Sequence, residues 1–275
     1  MKNLTQSFLL MLAGLVFPFA VFASNPSSTN HVNSITNSMS GEQLRPLTSD
    51  AYDGVMDART IGAGHIQIEG SLINYYFNSS TPRFHSSNGY LWDPRFTAGL
   101  WTNVDLFVHP SYEIRNYDYR SGTSEFGRVN TGIKANLWGN QSGTTAFAVK
   151  PYVSIPTQGG NVLGGLDLAL LARLTHGFYV KFDSEFYATE NDNETLYAGF
   201  ANSMSINKSL CSKAEAYCYL NTTVTTDSAM PWYGYSGFGL KYNFTSNMQI
   251  FAGMGFGLTS SSYDYNPRMG IVWRF

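Results

Sequence analysis

His85 and Ser87 stand two residues apart in the string His85-Ser86-Ser87-Asn88-Gly89. On a β-strand that spacing puts both side chains on one face, where an imidazole can take the proton of a hydroxyl and turn it into a nucleophile. A catalytic histidine also needs a group to orient it, and none is identifiable. The string lies in a Ser/Asn-rich stretch, where chance is the simpler reading. His31, His65, His109 and His176 are scattered without zinc-ligand spacing. Asn191-Asp192-Asn193-Glu194 offers oxygen ligands for calcium or for cations bridging lipopolysaccharide, although a solvated loop tip has the same composition. Gly253-Met254-Gly255-Phe256-Gly257 has no helix after it and so no phosphate cradle. The expectation is therefore a chain with no metal, no cofactor and no enzymatic activity. A formal net charge of −2 gives no footprint for nucleic acid.

A second set of chemistry-bearing residues is spread along the chain. Glu69, Asp105, Glu113, Arg115, Arg128, Lys134, Lys150, Asp167, Arg173, Lys181, Asp183, Glu185, Lys241, Arg268 and Arg274 all occupy positions that alternate with apolar ones, and so do Asp93, Arg95 and His109. Alternate residues of a strand face opposite ways. The clearest cases set Leu166, Leu168 and Leu170 against Asp167, and Phe178, Val180, Phe182 and Phe186 against Lys181, Asp183 and Glu185. These charges can form cross-strand ion pairs that fill a narrow lumen. They can equally line a polar conduit, and a modest excess of bases would then favour anions.

The elements that position this set are strands. From residue 64 onward, segments of about 10 to 15 residues alternate in polarity and are separated by turn residues, the pattern of a transmembrane barrel. Twelve are counted, near 64–77, 91–101, 104–117, 128–138, 145–155, 165–174, 178–186, 195–206, 213–224, 233–244 and 248–258, with a closing segment that ends Met269-Gly270-Ile271-Val272-Trp273-Arg274-Phe275. Connections after even-numbered segments are short, as at Thr102-Asn103, Thr175-His176 and Thr245-Ser246-Asn247. Those after odd-numbered segments, at 78–90, 118–127, 156–164, 189–194 and 225–232, are longer. Both termini are then expected on the periplasmic side. Aromatic residues gather at two edges, Trp101, Trp138, Tyr242, Phe244 and Trp273 at one, Tyr76, Trp92, Phe186, Trp232 and Tyr263 at the other.

Composition agrees. Aromatics make up 15% and charged residues 13%, against roughly 25% charged in soluble domains. No window reaches the roughly 20 apolar residues of a spanning helix. Residues 1–23 have the basic start, short apolar core and small residues of a secretory signal peptide. Residues 24–63 are an aperiodic, Ser/Asn/Thr-rich arm, periplasmic or entering the lumen, and 64–275 form the barrel. Cys211 and Cys218 would lie about 23 Å apart on one strand, too far to bridge. Free thiols are expected, with Cys218 facing lipid; a loop conformation would allow a disulfide.

Certain strings resemble a known family. Arg45-Pro46-Leu47-Thr48-Ser49-Asp50 followed by Gly62-Ala63-Gly64-His65-Ile66-Gln67-Ile68-Glu69-Gly70, then Gly132-Ile133-Lys134-Ala135-Asn136-Leu137-Trp138-Gly139-Asn140, Lys150-Pro151-Tyr152-Val153-Ser154-Ile155-Pro156-Thr157 and the carboxyl-terminal Trp273-Arg274-Phe275 are similar to the MetA-pathway-of-phenol-degradation family. The sequence departs from that family's pattern at Ala51-Tyr52-Asp53-Gly54. The resemblance implies a Gram-negative outer-membrane channel or transporter for small solutes, hydrophobic or aromatic ones among them, and brings no agreed binding residues. By resemblance to other barrels, Ile271, Trp273 and Phe275 form the signal read by the barrel-assembly machinery, with outer-membrane lipids and lipopolysaccharide as surroundings. The string at His85 resembles the His-x-Ser-Asn-Gly element of outer-membrane phospholipase, so a lipid hydrolase using His85 and Ser87 is one rival reading. A structural barrel acting through its surface loops is the other.

Overall fold

A computed structural model describes residues 45–50, 53–78, 87–117, 120–140, 143–190, 195–227 and 232–275. Its strands are β1 (Ile66–Asn78), β2 (Ser87–Trp92), β3 (Arg95–Trp101), β4 (Val104–His109), β5 (Tyr112–Tyr117), β6 (Arg120–Phe126), β7 (Val129–Trp138), β8 (Thr145–Ile155), β9 (Leu163–Arg173), β10 (Phe178–Glu190), β11 (Leu196–Ser209), β12 (Ala214–Thr225), β13 (Trp232–Asn243), β14 (Met248–Gly257) and β15 (Tyr265–Arg274). All pairings are antiparallel. Twelve of these strands close a ring in the order β1, β3, β4, β7 and then β8 to β15, and β15 pairs back onto β1. At the seam, Ile66 and Phe275 exchange backbone hydrogen bonds of 3.3 and 2.8 Å.

The remaining three strands prolong their neighbours. β2 runs into β3 across Asp93-Pro94, β4 into β5 across Pro110-Ser111, and β6 into β7 across Gly127-Arg128. A proline has no N–H to give to a ladder, so such breaks are where sheets admit it. The twelve-segment reading therefore holds, with the second and third segments each broken once and the fourth preceded by β6.

Two expectations need correction. Residues 118–127 were expected as a loop, yet most of them form β6, paired with β5 through Tyr112↔Phe126 and Ile114↔Ser124. Gly122 to Phe126 are exposed, so no buried face imposed alternation on the sequence. Tyr76 and Tyr263 were expected in an outer aromatic girdle, yet Tyr76 is 2% exposed and stacks on Tyr263 at 4.2 Å between centroids. The cause is a bulge in β1, where the pairing with β15 shifts between Ser71 and Ile73. Leu72 and Ile73 both face outward, so inward positions change from Gln67, Glu69 and Ser71 to Asn74 and Tyr76. One extra residue moves every later side chain to the opposite face.

Elsewhere the parity is as expected. Trp101, Trp138, Tyr242, Phe244 and Trp273 are exposed at one edge, Trp92, Phe186 and Trp232 at the other, and Leu137, Leu166, Phe238, Leu240 and Ile250 lie between them. Cys211 and Cys218 are free and exposed. Cys218 points outward between the inward, buried Tyr217 and Tyr219. A Lys or Arg in its place at mid-membrane would cost about 2–4 kcal/mol.

Candidate functional site

The inside of the ring is occupied by the chain's own arm, in the described part of 45–63. It touches β1, β3, β4, β7, β10, β12, β14 and β15, strands from all around the barrel. Residues 1–44, expected as the signal peptide and the start of the arm, lie outside the described residues.

Two acids of the arm meet bases of the wall, and a third pairs within the arm. Asp53 Oδ1 accepts from Lys181 Nζ at 2.8 Å, and both side chains are fully buried. The same ammonium donates to the carbonyl oxygens of Val55 at 2.8 Å and Ser49 at 3.4 Å. Asp50 Oδ2 is 2.7 Å from Arg95 Nη1 and 3.8 Å from Lys134 Nζ, and its Oδ1 accepts from the backbone N–H of Asp57 at 2.7 Å. Burial alone would raise the pKa of Asp50, but the charges of Lys134, Arg95 and Lys150 outweigh it and bring the group down to about 2. Asp57 takes a two-pronged contact from Arg59 at 3.0 and 2.8 Å.

Backbone and apolar contacts complete the docking. Asn136 Nδ2 donates to Ala58 O at 2.7 Å, Gln67 Nε2 to Thr48 O at 2.7 Å, and Arg274 Nη2 to Arg45 O at 2.7 Å. Asp105 accepts from the N–H of Ile61 at 3.1 Å. Val55 packs on Tyr217, Tyr219, Phe251 and Val272, while Met56 and Ala58 lie on Ala146, Ala148, Ala169 and Leu171. The bed under Val55 depends on glycines. A Cβ at Gly239 would lie 2.3 Å from the Tyr217 hydroxyl and one at Gly255 2.6 Å from the Tyr219 hydroxyl, so both rings lie flat over β13 and β14. At the arm's root, a Cβ on Gly99 would lie 1.8 Å from Gly62 O.

The predicted lumen residues fall into groups. Glu69, Asp105, Lys134, Lys181 and Arg274 are buried against the arm. Lys150 and Asp167 pair at 2.8 Å across β8 and β9, and Lys241 pairs with Glu215 at 2.7 Å across β12 and β13. Glu113 and Arg115 pair at 2.6 Å near the long-loop end, where Tyr76 joins them. Arg128 reaches Glu190 at 2.7 Å and Ser154 O at 2.7 Å and also donates to Asn161 O, tying the connection after β8 to the wall. Arg173 is exposed at the short-turn mouth, and Arg268 is half-buried beside Asn266. Asp183 and Glu185 line an interior chamber with Asp167. His85 and the 191–194 segment lie outside the described residues. Ser87 begins β2.

Sequence reasoning missed the arm's acids. The signal was the surplus of bases among inward strand positions, since charges taken out of water need partners. Asp50 and Asp53 supply them from a segment with no period of its own. The arm also divides the interior. A cavity of about 790 Å³ opens on the short-turn side among Arg45, Arg59, Tyr179, Lys213, Glu215 and Lys241. One of about 250 Å³ lies on the long-loop side, among Met56, Phe107, Tyr152, Asp167, Asp183 and Glu185.

The family model described as "Putative MetA-pathway of phenol degradation" matches residues 49–275. No curated protein sequence matches the chain. Among solved structures, an outer membrane channel from Pseudomonas putida F1 superposes with a TM-score of 0.60 at 12% identity, covering 80% of this chain and 98% of its own. The NanC porin gives 0.52 at 10% identity, covering 76% and 98%. The translocator domain of the autotransporter NalP from Neisseria meningitidis gives 0.50 at 12% identity, covering 78% and 89%. At such identities the likeness is one of fold.

Proposed function

The chain belongs to this phenol-degradation family, and from that premise we propose that it is a bacterial outer-membrane channel for small solutes whose conduit is closed by its own amino-terminal arm. The observation that carries the reading is the arm itself, a segment held inside a closed apolar-coated ring by side-chain ion pairs and hydrogen bonds, with a cavity on each side of it. Contacts of this kind exchange without breaking a covalent bond, so the arm can leave or shift. The family description supports hydrophobic or aromatic solutes as cargo. The apolar parts of both cavity walls, Leu171, Leu174 and Phe178 on one side and Phe107 and Met56 on the other, suit such molecules.

We read the chain as a conduit and not a catalyst. Hydrolysis of phospholipid by the purified protein, abolished by Ser87→Ala, would overturn that. We assign outer-membrane lipid and lipopolysaccharide to the aromatic-edged exterior, and the assembly machinery to Ile271, Trp273 and Phe275 on the closing strand. Single-channel recording tests transport. The expected result is low, flickering conductance for the native chain and larger, longer openings when Asp50, Asp53 and Asp57 are changed together to asparagine. Silence in both would refute the channel.

A further inference from the structure

The chamber on the long-loop side of the arm has unfinished electrostatics. Glu185 stands directly across from Asp167 in the β9–β10 register, and Asp183 is two residues away on the same face. Like charges placed directly opposite on paired strands destabilise the sheet unless something between them is positive. Lys150 serves Asp167 Oδ2 at 2.8 Å, and Glu185 has only the neutral hydroxyl of Tyr152, at 2.5 Å. Asp183 is 7% exposed, lines the chamber, and its Oδ1 is buried without a hydrogen-bond partner; Asp167 Oδ1 and Asn130 Oδ1, also in the lining, are in the same condition. Among the described lining residues the corresponding donors are fewer. Arg95 Nε alone is buried and unpartnered, and that guanidinium is already engaged by Asp50 and Glu69.

The remaining lining sets Met56 of the arm and Phe107 beside His109, Ser203 and the already engaged Asp50, Arg95 and Lys150. The adjoining acids of β9 and β10, with unsatisfied oxygens on Asp167 and Asp183, and the apolar surface of Phe107 and Met56 define a complementary molecule. It carries several N–H donors and a positive charge on a compact apolar body. A bare metal ion fits poorly, because no group of three His, Cys, Asp or Glu among the described residues is arranged to hold one. A volume of about 250 Å³ limits the guest to a small molecule.

We infer that this chamber is a binding site for small protonated amines, the ammonium held among Asp183, Asp167 and Glu185 and the apolar body against Phe107 and Met56. The arm forms part of the site, so an occupied chamber favours the docked arm. Within this chamber the anion preference read from the strands alone does not hold, because Asp50 takes up Arg95 and Lys134, Asp167 takes up Lys150, and the charge left unpaired is acidic.

The inference rests on the channel reading only for the route by which the amine arrives, and binding can be measured without flux. The test is calorimetric titration of the full mature chain in detergent near neutral pH with benzylammonium, and in parallel with benzyl alcohol and benzoate. Saturable binding of benzylammonium is expected, weakened tenfold or more in Asp183→Asn, with benzoate not binding. Absence of saturable binding, equal affinity in Asp183→Asn, or equal affinity for benzoate overturns the proposal. If Asp183→Asn fails to assemble, as judged by heat-modifiable migration, Glu185→Gln replaces it with the same expected loss. A protein that conducts but does not bind benzylammonium sinks this inference alone. One that binds it but never conducts sinks the channel alone.

Discussion

Replacing Lys181 by methionine should release the arm. The ammonium is fully buried, 2.8 Å from Asp53 Oδ1, and also holds two carbonyl oxygens of the arm. At that distance and an effective dielectric constant of about 20, the charge–charge attraction is about 6 kcal/mol. Desolvation cancels much of it while both partners are present, but removing one leaves the other buried and uncompensated, at about 3–5 kcal/mol. Asp53 Oδ2 is already without a partner, so the carboxylate has no second cation to turn to. A loss of that size raises the undocked fraction between about a hundredfold and a few thousandfold, at about 1.4 kcal/mol per tenfold. Trypsin reads this directly at the Arg59–Thr60 bond, which lies in the arm and is held against the wall while the arm is docked; Arg45 precedes Pro46 and is not cut. Cleavage tracks the open population when opening and closing are fast. Lys181→Met should be cut at least about a hundred times faster than the native chain. Lys181→Met/Asp53→Leu should recover the larger part, since an apolar pair often replaces a buried ion pair at little cost. A cleavage rate within about twofold of native in the single variant, or a double variant cut faster than the single, would refute the reasoning.

Other expectations follow from the same contacts. Gly99→Ala pushes a Cβ into Gly62 O and should displace the arm's root at a cost of about 1–3 kcal/mol, read as faster trypsin cleavage after Arg59 with the barrel still heat-modifiable. Asp50 has a pKa below its unfolded value, so its share of arm stability is fully present above about pH 4 and is lost as pH falls through about 2. A carboxyl-carbon NMR titration of labelled Asp50 that moved between pH 7 and pH 4 would contradict this. Deleting Phe275 removes both backbone bonds to Ile66 together with the terminal aromatic residue, and should cut the amount of folded barrel in outer membranes several-fold. Normal levels on heat-modifiability gels would remove the assembly role. Cys211 lies in the turn between β11 and β12 and Cys218 on the outward face of β12. A membrane-impermeant maleimide should therefore label Cys211 only after the outer membrane is breached, and Cys218 not at all in membranes. Labelling of Cys211 on intact cells would reverse the assigned orientation.

The strands were legible because lipid on one side and water or charge on the other impose a period of two on most of them. Where that constraint lapses, legibility lapsed with it. β6 stands with Gly122 to Phe126 exposed, has no face to hide, and reads as loop. The bulge at Leu72 and Ile73 leaves no local mark, because two adjacent apolar residues fit either parity until Tyr76 finds Glu113 and Tyr263 inside. The charged lining was legible residue by residue, but its pairing was not, since the partners of Lys134, Lys181 and Arg95 come from a segment far away in the chain and lacking any repeat. The unpaired state of Asp183 emerges only after those partners are subtracted.

The flat tyrosines over the glycines of β13 and β14 have an evolutionary consequence. Ring and missing side chain fill one volume between them, so neither can change alone. A lineage that gains a side chain at Gly255, where only the Tyr219 hydroxyl stands in the way of a Cβ, must shrink Tyr219 in step, and the arm residue resting on that ring, Val55, must then grow to meet the lowered floor. Among descendants of a common ancestor these positions should covary as a triplet of layers, wall, ring and arm. The width of the passage would then drift by exchange among the layers while their summed volume stays fixed.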